Sequence, residues 1–140
     1  MMYLLDTSAI LIHYRKEPGY ERILALFDDP GNDALLSSVS LAEFGRVLRS
    51  NGLEPAQVDE TLDAYLPLFA EVVPVDAGVA RASIHLMETV PTRMPTADFL
   101  IAASALLRRA CLVHRDGHFR AIPGNILATL DLAPPQGPQG

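Results

Sequence analysis

The chain has 140 residues, 49% apolar and 20% charged, with a formal charge of −6; this is one globular domain with a full core, not a disordered chain. No apolar run is long enough to span a membrane, and the start MMYLLDTSAILIHY has no basic n-region and is interrupted by Asp6, so no signal peptide is expected. The one cysteine, Cys111, excludes an internal disulfide, fits a reducing cytoplasm and is expected to sit inert in the core.

Met2 to Leu5 reads as a buried strand that Asp6 ends. Thr7 or Ser8 is expected to cap a helix through Ile10, Leu11 and Tyr14, which Pro18-Gly19 breaks. A second amphipathic helix follows through Ile23, Leu24 and Phe27, then a loop at 28–32 and a short apolar strand from Ala34 to Ser37. Ser40 is expected to start a helix with Leu41, Phe44, Val47 and Leu48 at helical spacing, and Glu43 falls at the capping-box position. Asn51-Gly52 stops it, and Pro55 opens another with Val58, Leu62, Tyr65 and Leu66 on one face. Glu71 to Val75 reads as a third strand, and Asp76 caps a helix through Val79, Ile84 and Met87.

After the turn bracketed by Pro91 and Pro95, Thr96 is expected to cap a helix with Asp98 in its first turn, where the positive end of the dipole favours a carboxylate. From Phe99 to Leu107 only Ser104 is polar, so this helix should be buried on every side. Arg108 and Arg109 close it, CLVH reads as a buried strand, and Arg115, Asp116 and Gly117 turn out of it. Asn125 to Ala128 is expected to be an edge strand. The predicted domain covers residues 1–132, and the tail APPQGPQG, 133–140, has no means of packing and is expected to be disordered. Alternating strands and helices give an α/β fold, a central parallel sheet of four to five strands with helices on both faces.

In such a sheet Asp6 and Asp116 leave the same edge, and the helices carrying Asp98 and Glu43 can start beside it. Each acid alone is an ordinary cap or turn residue. Together, ionised carboxylates at ~4 Å and an effective dielectric of ~20 repel by about 4 kcal/mol per pair. A cation in their midst relieves that repulsion, and oxygen ligands select Mg²⁺ or Mn²⁺ over Zn²⁺. Setting these four aside leaves thirteen acids against eleven bases, a balance of −2, so the acidic composition does not exclude a nucleic-acid partner. There is no G-x-G-x-x-G and no P-loop. Ser8 stands where a D-x-D phosphatase needs its second acid, and no lysine follows Lys16 to serve a receiver domain.

The stretches DTSAI at 6–10, SLAEF at 40–44, TADFLIAASA at 96–105 and HRDGHF at 114–119 resemble the four motifs of the PIN-domain ribonucleases, in order and at matching spacing from about residue 1 to 130. Length and order resemble most the VapC-type toxins of toxin–antitoxin pairs. The resemblance implies a Mg²⁺-dependent endoribonuclease with Asp6, Glu43, Asp98 and Asp116 as its acidic quartet, homodimers, and inhibition by a VapB-type antitoxin. Hydrolysis of a phosphodiester needs activated water and a stabilised leaving oxygen, which metal held by carboxylates supplies without a protein nucleophile. Asp6 and Asp98 are the expected principal ligands; Glu43 and Asp116 complete the shell or position the attacking water. Thr7 and Ser8 are candidates to support the ligands by hydrogen bonds.

The family often has Thr or Ser where this chain has His114. That side chain either bonds backbone at a strand end or donates to an acidic ligand or to metal-bound water, and nearby carboxylates should raise its pKa. Arg15, Arg46, Arg49, Arg93 and Arg115 are candidates for RNA phosphates, although any one of them fits a solvated helix face. Leu62, Leu66 and Phe69 fit either a dimer interface or, by default, the core. His13, His85 and His118 read only as surface or core histidines. Two other functions remain open: a PIN-fold binding module that does not cleave, and a metal-dependent DNA nuclease, since the sequence does not separate RNA from DNA.

Overall fold

A computed structural model describes residues 1–134; of the tail expected at 133–140, everything from 135 onward lies outside them. The elements are β1 (Met2–Leu5), α1 (Thr7–Arg15), α2 (Tyr20–Asp28), β2 (Asp33–Ser37), α3 (Ser38–Ser50), α4 (Pro55–Tyr65), β3 (Glu71–Val73), α5 (Ala77–Thr89), α6 (Thr96–Leu107), β4 (Cys111–His114) and β5 (Thr129–Asp131). All four pairings are parallel, in the order β3-β2-β1-β4-β5. The last strand therefore exists, but at Thr129–Asp131 and not at 125–128. Pro123 holds the earlier stretch in a turn, its carbonyl accepting from the amide of Ile126 at 2.9 Å.

Strand alternation builds the two cores. Leu4, Leu35 and Leu112 enter one with α5 and α6; Leu5, Leu36 and Val113 enter the other with α1 to α4. Both faces are thus covered, which is why these strands read as unbroken apolar runs. The α6 helix is buried from Asp98 through Ala105, apart from half-buried Leu100, and the small side chains of Ala102 and Ala105 fit within the first core. Burial does not extend to its end, because Leu107 is 47% exposed. Arg109 follows in a left-handed conformation at φ 53°, a place where glycine is common. Arg108 forms a bidentate pair with Glu71, at 2.9 and 3.1 Å.

Core packing accounts for Phe69, which is buried, and for Leu62, which lies against the same core. Cys111 is half-buried, and burial raises its pKa, which disfavours the reactive thiolate. No helix among the described residues is long and apolar enough to cross a membrane.

The packing makes a graded prediction. Leu112→Ala empties a fully buried site in the sheet and should cost about 2–5 kcal/mol in denaturant unfolding. Leu107→Ala, half exposed, should stay within about 1 kcal/mol. Equal losses for the two would contradict the two-sided core.

Candidate active site

The order of the sheet puts β1 beside β4, so the chain leaves both strands at one edge. The amide of Asp6 donates to the carbonyl of Val113 at 2.9 Å, fixing the first acid against the last strand. Asp6 itself caps α1 from an extended conformation, its Oδ2 accepting from the amide and the hydroxyl of Ser8 at 3.1 and 2.6 Å. Thr7 and Ser8 are therefore the first helical residues and not the cap. The carboxylate at the strand end reaches the orphan amides one or two residues sooner than the hydroxyls that follow it.

The freed hydroxyls do other work. Ser8 Oγ also accepts from the amide of Arg115 at 2.9 Å, which ties α1 to the segment leaving β4. Thr7 Oγ1 donates to Glu43 Oε1 at 2.6 Å, joining α1 to α3.

Glu43 is available for that bond because α3 starts earlier than expected. Ser37, still at the strand end, takes the amide of Val39 at 3.1 Å, so the helix runs from Ser38. Ser40 is fully buried inside the first turn, the capping box with Glu43 does not form, and Glu43 falls in the second turn. At α6 the cap position belongs to Pro95, which offers no side-chain bond, and Thr96 is the first helical residue. Asp98 stands third in that helix, as expected within the first turn, and is only 9% exposed.

The fourth acid, Asp116, caps a short 3₁₀ turn at Gly117–Ala121 by accepting the amide of His118 at 2.9 Å. This brings in a residue that the motifs did not single out. His118 Nδ1 lies 2.8 Å from Asp98 Oδ2 and 3.3 Å from Asp116 Oδ1. One donor atom from each of Asp98, Asp116 and His118 falls within 4.8 Å of the others. Its place two residues after Asp116, on a turn that Asp116 caps, was the available signal.

The charges feel one another. Asp6 is pushed from 3.8 to about 6, first by burial and also by the charge of Asp98, against the opposing hydrogen bonds from Ser8. Asp98 is raised as well, mainly by burial and then by Asp116 and Glu43, while its bond to His118 opposes the rise. All four acids thus meet electrostatically around Asp98 at one sheet edge. Carboxylates held in this way, with their charged forms disfavoured, fit a divalent cation: the ion supplies the missing compensation, and the donors are oxygens with one imidazole nitrogen.

His114 is different. It is 1% exposed, its Nδ1 accepts from the backbone amide of Asp116 at 3.2 Å, and its ring packs on Phe119 at 5.2 Å. Its pKa is lowered, not raised: burial outweighs the pull of Asp131 and Asp116 towards the charged form. The geometry makes His114 a backbone support for Asp116, with no bond to a carboxylate.

Among the candidate arginines, Arg115 pairs with Glu17 at 3.2 Å, Arg15 approaches the same carboxylate at 3.9 Å, and Arg49 donates to the carbonyl of Leu53 at 2.7 Å. Arg46 and Arg93 are exposed, with no ion pair among the described residues. His13 bonds the hydroxyl of Tyr65 at 2.8 Å within an aromatic cluster, and His85 is exposed.

Residues 3–125 match the model of the PIN domain, and the chain belongs to that family. Within it the similarity is to the VapBC toxin–antitoxin pairs. VapBC2 from Rickettsia felis, solved bound to a promoter DNA fragment, shares 25% identity over 94% of this chain and 98% of that one, with a TM-score of 0.73. VapBC-5 from Mycobacterium tuberculosis shares 28% over 93% and 98%, TM-score 0.63. VapBC-1 from nontypeable Haemophilus influenzae shares 20% over 96% and 100%, TM-score 0.76, a likeness of fold. No curated protein sequence matches the chain.

Because Asp6 titrates higher in the fold than its ordinary 3.8, its neutral form is the stabilising one. That contribution is complete below about pH 4 and is lost as pH rises through about 6, at a cost of about 3 kcal/mol. Asp98 acts in the same sense. In chelator, Asp6→Asn should therefore gain stability relative to the parent between pH 4 and pH 7. A difference in unfolding free energy that does not change with pH would refute the assignment.

Proposed function

We infer that the protein is a divalent-metal-dependent endoribonuclease, the toxin of a toxin–antitoxin pair. The observation that carries this reading is the meeting of Asp6, Glu43, Asp98 and Asp116 at one sheet edge of a PIN domain. A bound Mg²⁺ or Mn²⁺ would activate water and neutralise charge on the leaving oxygen. Asp6 and Asp98 are the principal ligands; Glu43 and Asp116 complete the shell or position the attacking water. Thr7 aims Glu43, and Ser8 aims Asp6 while anchoring the segment that carries Asp116. Of the candidate arginines, Arg46 and Arg93, exposed and without ion pairs among the described residues, are the ones left to take RNA phosphates.

The test pairs substrate and metal. Mg²⁺ or Mn²⁺ should support cleavage of structured RNA, and chelator should abolish it. Asp98→Asn should lower the rate by more than the ten- to hundredfold that loss of a supporting bond such as Thr7→Val costs. Undiminished cleavage by Asp98→Asn would sink the reading. Cleavage of DNA in place of RNA would make the protein a DNA nuclease, and metal binding without cleavage would make it a binding module.

The partner follows from the same charges. The reading includes a homodimer in the cytoplasm, held inactive by a VapB-type antitoxin that places an arginine among the carboxylates. A guanidinium there supplies the positive charge the site lacks and obstructs RNA. Co-expression with the protein of the adjacent reading frame should give a tight, inactive complex, and replacing the inserted arginine by alanine should restore cleavage. A fully active monomer that ignores that protein would count against the partner.

A further inference from the structure

His118 reaches the acidic edge by construction. Asp116 fixes its backbone by accepting its amide, and the next residue, Phe119, is fully buried against the ring of His114. The imidazole, half exposed, then lies across the mouth of α6 with Nδ1 facing two carboxylates, at 2.8 Å from Asp98 and 3.3 Å from Asp116. A simple ion pair needs only one of these contacts. Adjacent ligands of an octahedral ion bound at 2.0–2.1 Å stand about 3 Å apart, and the two distances bracket that spacing. A neutral imidazole is a good ligand for first-row transition ions, whereas Mg²⁺ prefers oxygen.

We propose that His118 is a direct nitrogen ligand of the divalent cation, making a mixed nitrogen–oxygen site that favours Mn²⁺ over Mg²⁺. This rests on the metal-dependent reading given above, and it adds to the acidic quartet a ligand of a different kind. The imidazole would take the face of the ion between Asp98 and Asp116. The preference for Mn²⁺ is then set by the third residue of the Asp116-Gly117-His118 turn.

Binding and spectroscopy test this without reference to cleavage. Mn²⁺ added to the metal-free full chain should show, by pulsed electron paramagnetic resonance, modulation from one directly bound imidazole ¹⁴N. His118→Gln should lose the modulation and bind Mn²⁺ roughly tenfold more weakly, with Mg²⁺ affinity little changed. His118→Asp should restore binding through oxygen alone, without ¹⁴N modulation and with the Mn²⁺ preference reduced. Asp98→Asn should weaken both ions alike, and thermal unfolding should show that the His118 variants fold. Mn²⁺ bound to the parent without ¹⁴N modulation would remove His118 from the ion and leave the metal-dependent reading intact. So would modulation and ion preference that survive in His118→Gln. A parent chain that binds neither ion would overturn both.

Discussion

The bond from the amide of Asp6 to the carbonyl of Val113 is where the site becomes possible. It continues the β1–β4 pairing one residue past the strand, so two segments more than a hundred residues apart in sequence leave the sheet together. Everything polar at that edge is then within reach of short side chains. Ser8 spans from Asp6 to the amide of Arg115, and Asp116 follows one residue later. Had β4 paired elsewhere in the sheet, Asp116 and His118 would be parted from Asp6. The apolar alternation of Leu4, Leu5, Leu112 and Val113 holds this pairing, since a slip by one residue would turn each side chain to the wrong core.

Structural roles coincide with the proposed functional ones in these acids. Asp6 caps α1, Asp116 caps the 3₁₀ turn, and Asp98 occupies the first turn of α6. Capping fixes Asp6 and Asp116 through one oxygen and the local backbone, and this is how a site on short connections gains rigidity. Glu43 and Asp98 have no capping bond; Thr7, a hydroxyl from another helix, restrains the first, and His118 the second. The capping account is therefore correct for Asp6 and Asp116 and insufficient, because it explains a local bond at each and not why all four acids share one edge.

The central strands and most helices were legible because each carries a clear period: continuous apolar runs of about four residues, or repeats of three and four. That Asp6, Glu43, Asp98 and Asp116 come together was legible through the PIN motifs and through the parallel sheet those periods imply. Helix starts were not. At Asp6 and Ser37 the strand-end residue caps the helix directly, with no connecting loop, and sequence offers several hydroxyls in a row with nothing to choose between them. His118 was missed because its role depends on a side-chain direction set by the turn and by Phe119, neither of which has a spacing signature. His114 was read with the wrong sign, since its neighbours in sequence are charged while its neighbours in space are the core. The last strand was displaced because Pro123 and Gly124 precede a turn before the pairing begins.

The elevated Asp6 gives the site its economy of states. Without compensation the fold disfavours the ionised carboxylate that a ligand must be, so metal-free protein at neutral pH holds part of its stability in reserve. On the proposed reading, any cation that enters recovers it, whether a divalent ion or the guanidinium of a partner. Two ligands that draw on one set of carboxylates cannot both bind fully, and linkage makes the antagonism reciprocal: metal weakens the partner's arginine by the factor by which the arginine weakens metal. On the proposed reading, inhibition needs no second site and no change of fold. It follows from a cluster of acids whose charged forms burial and mutual repulsion disfavour.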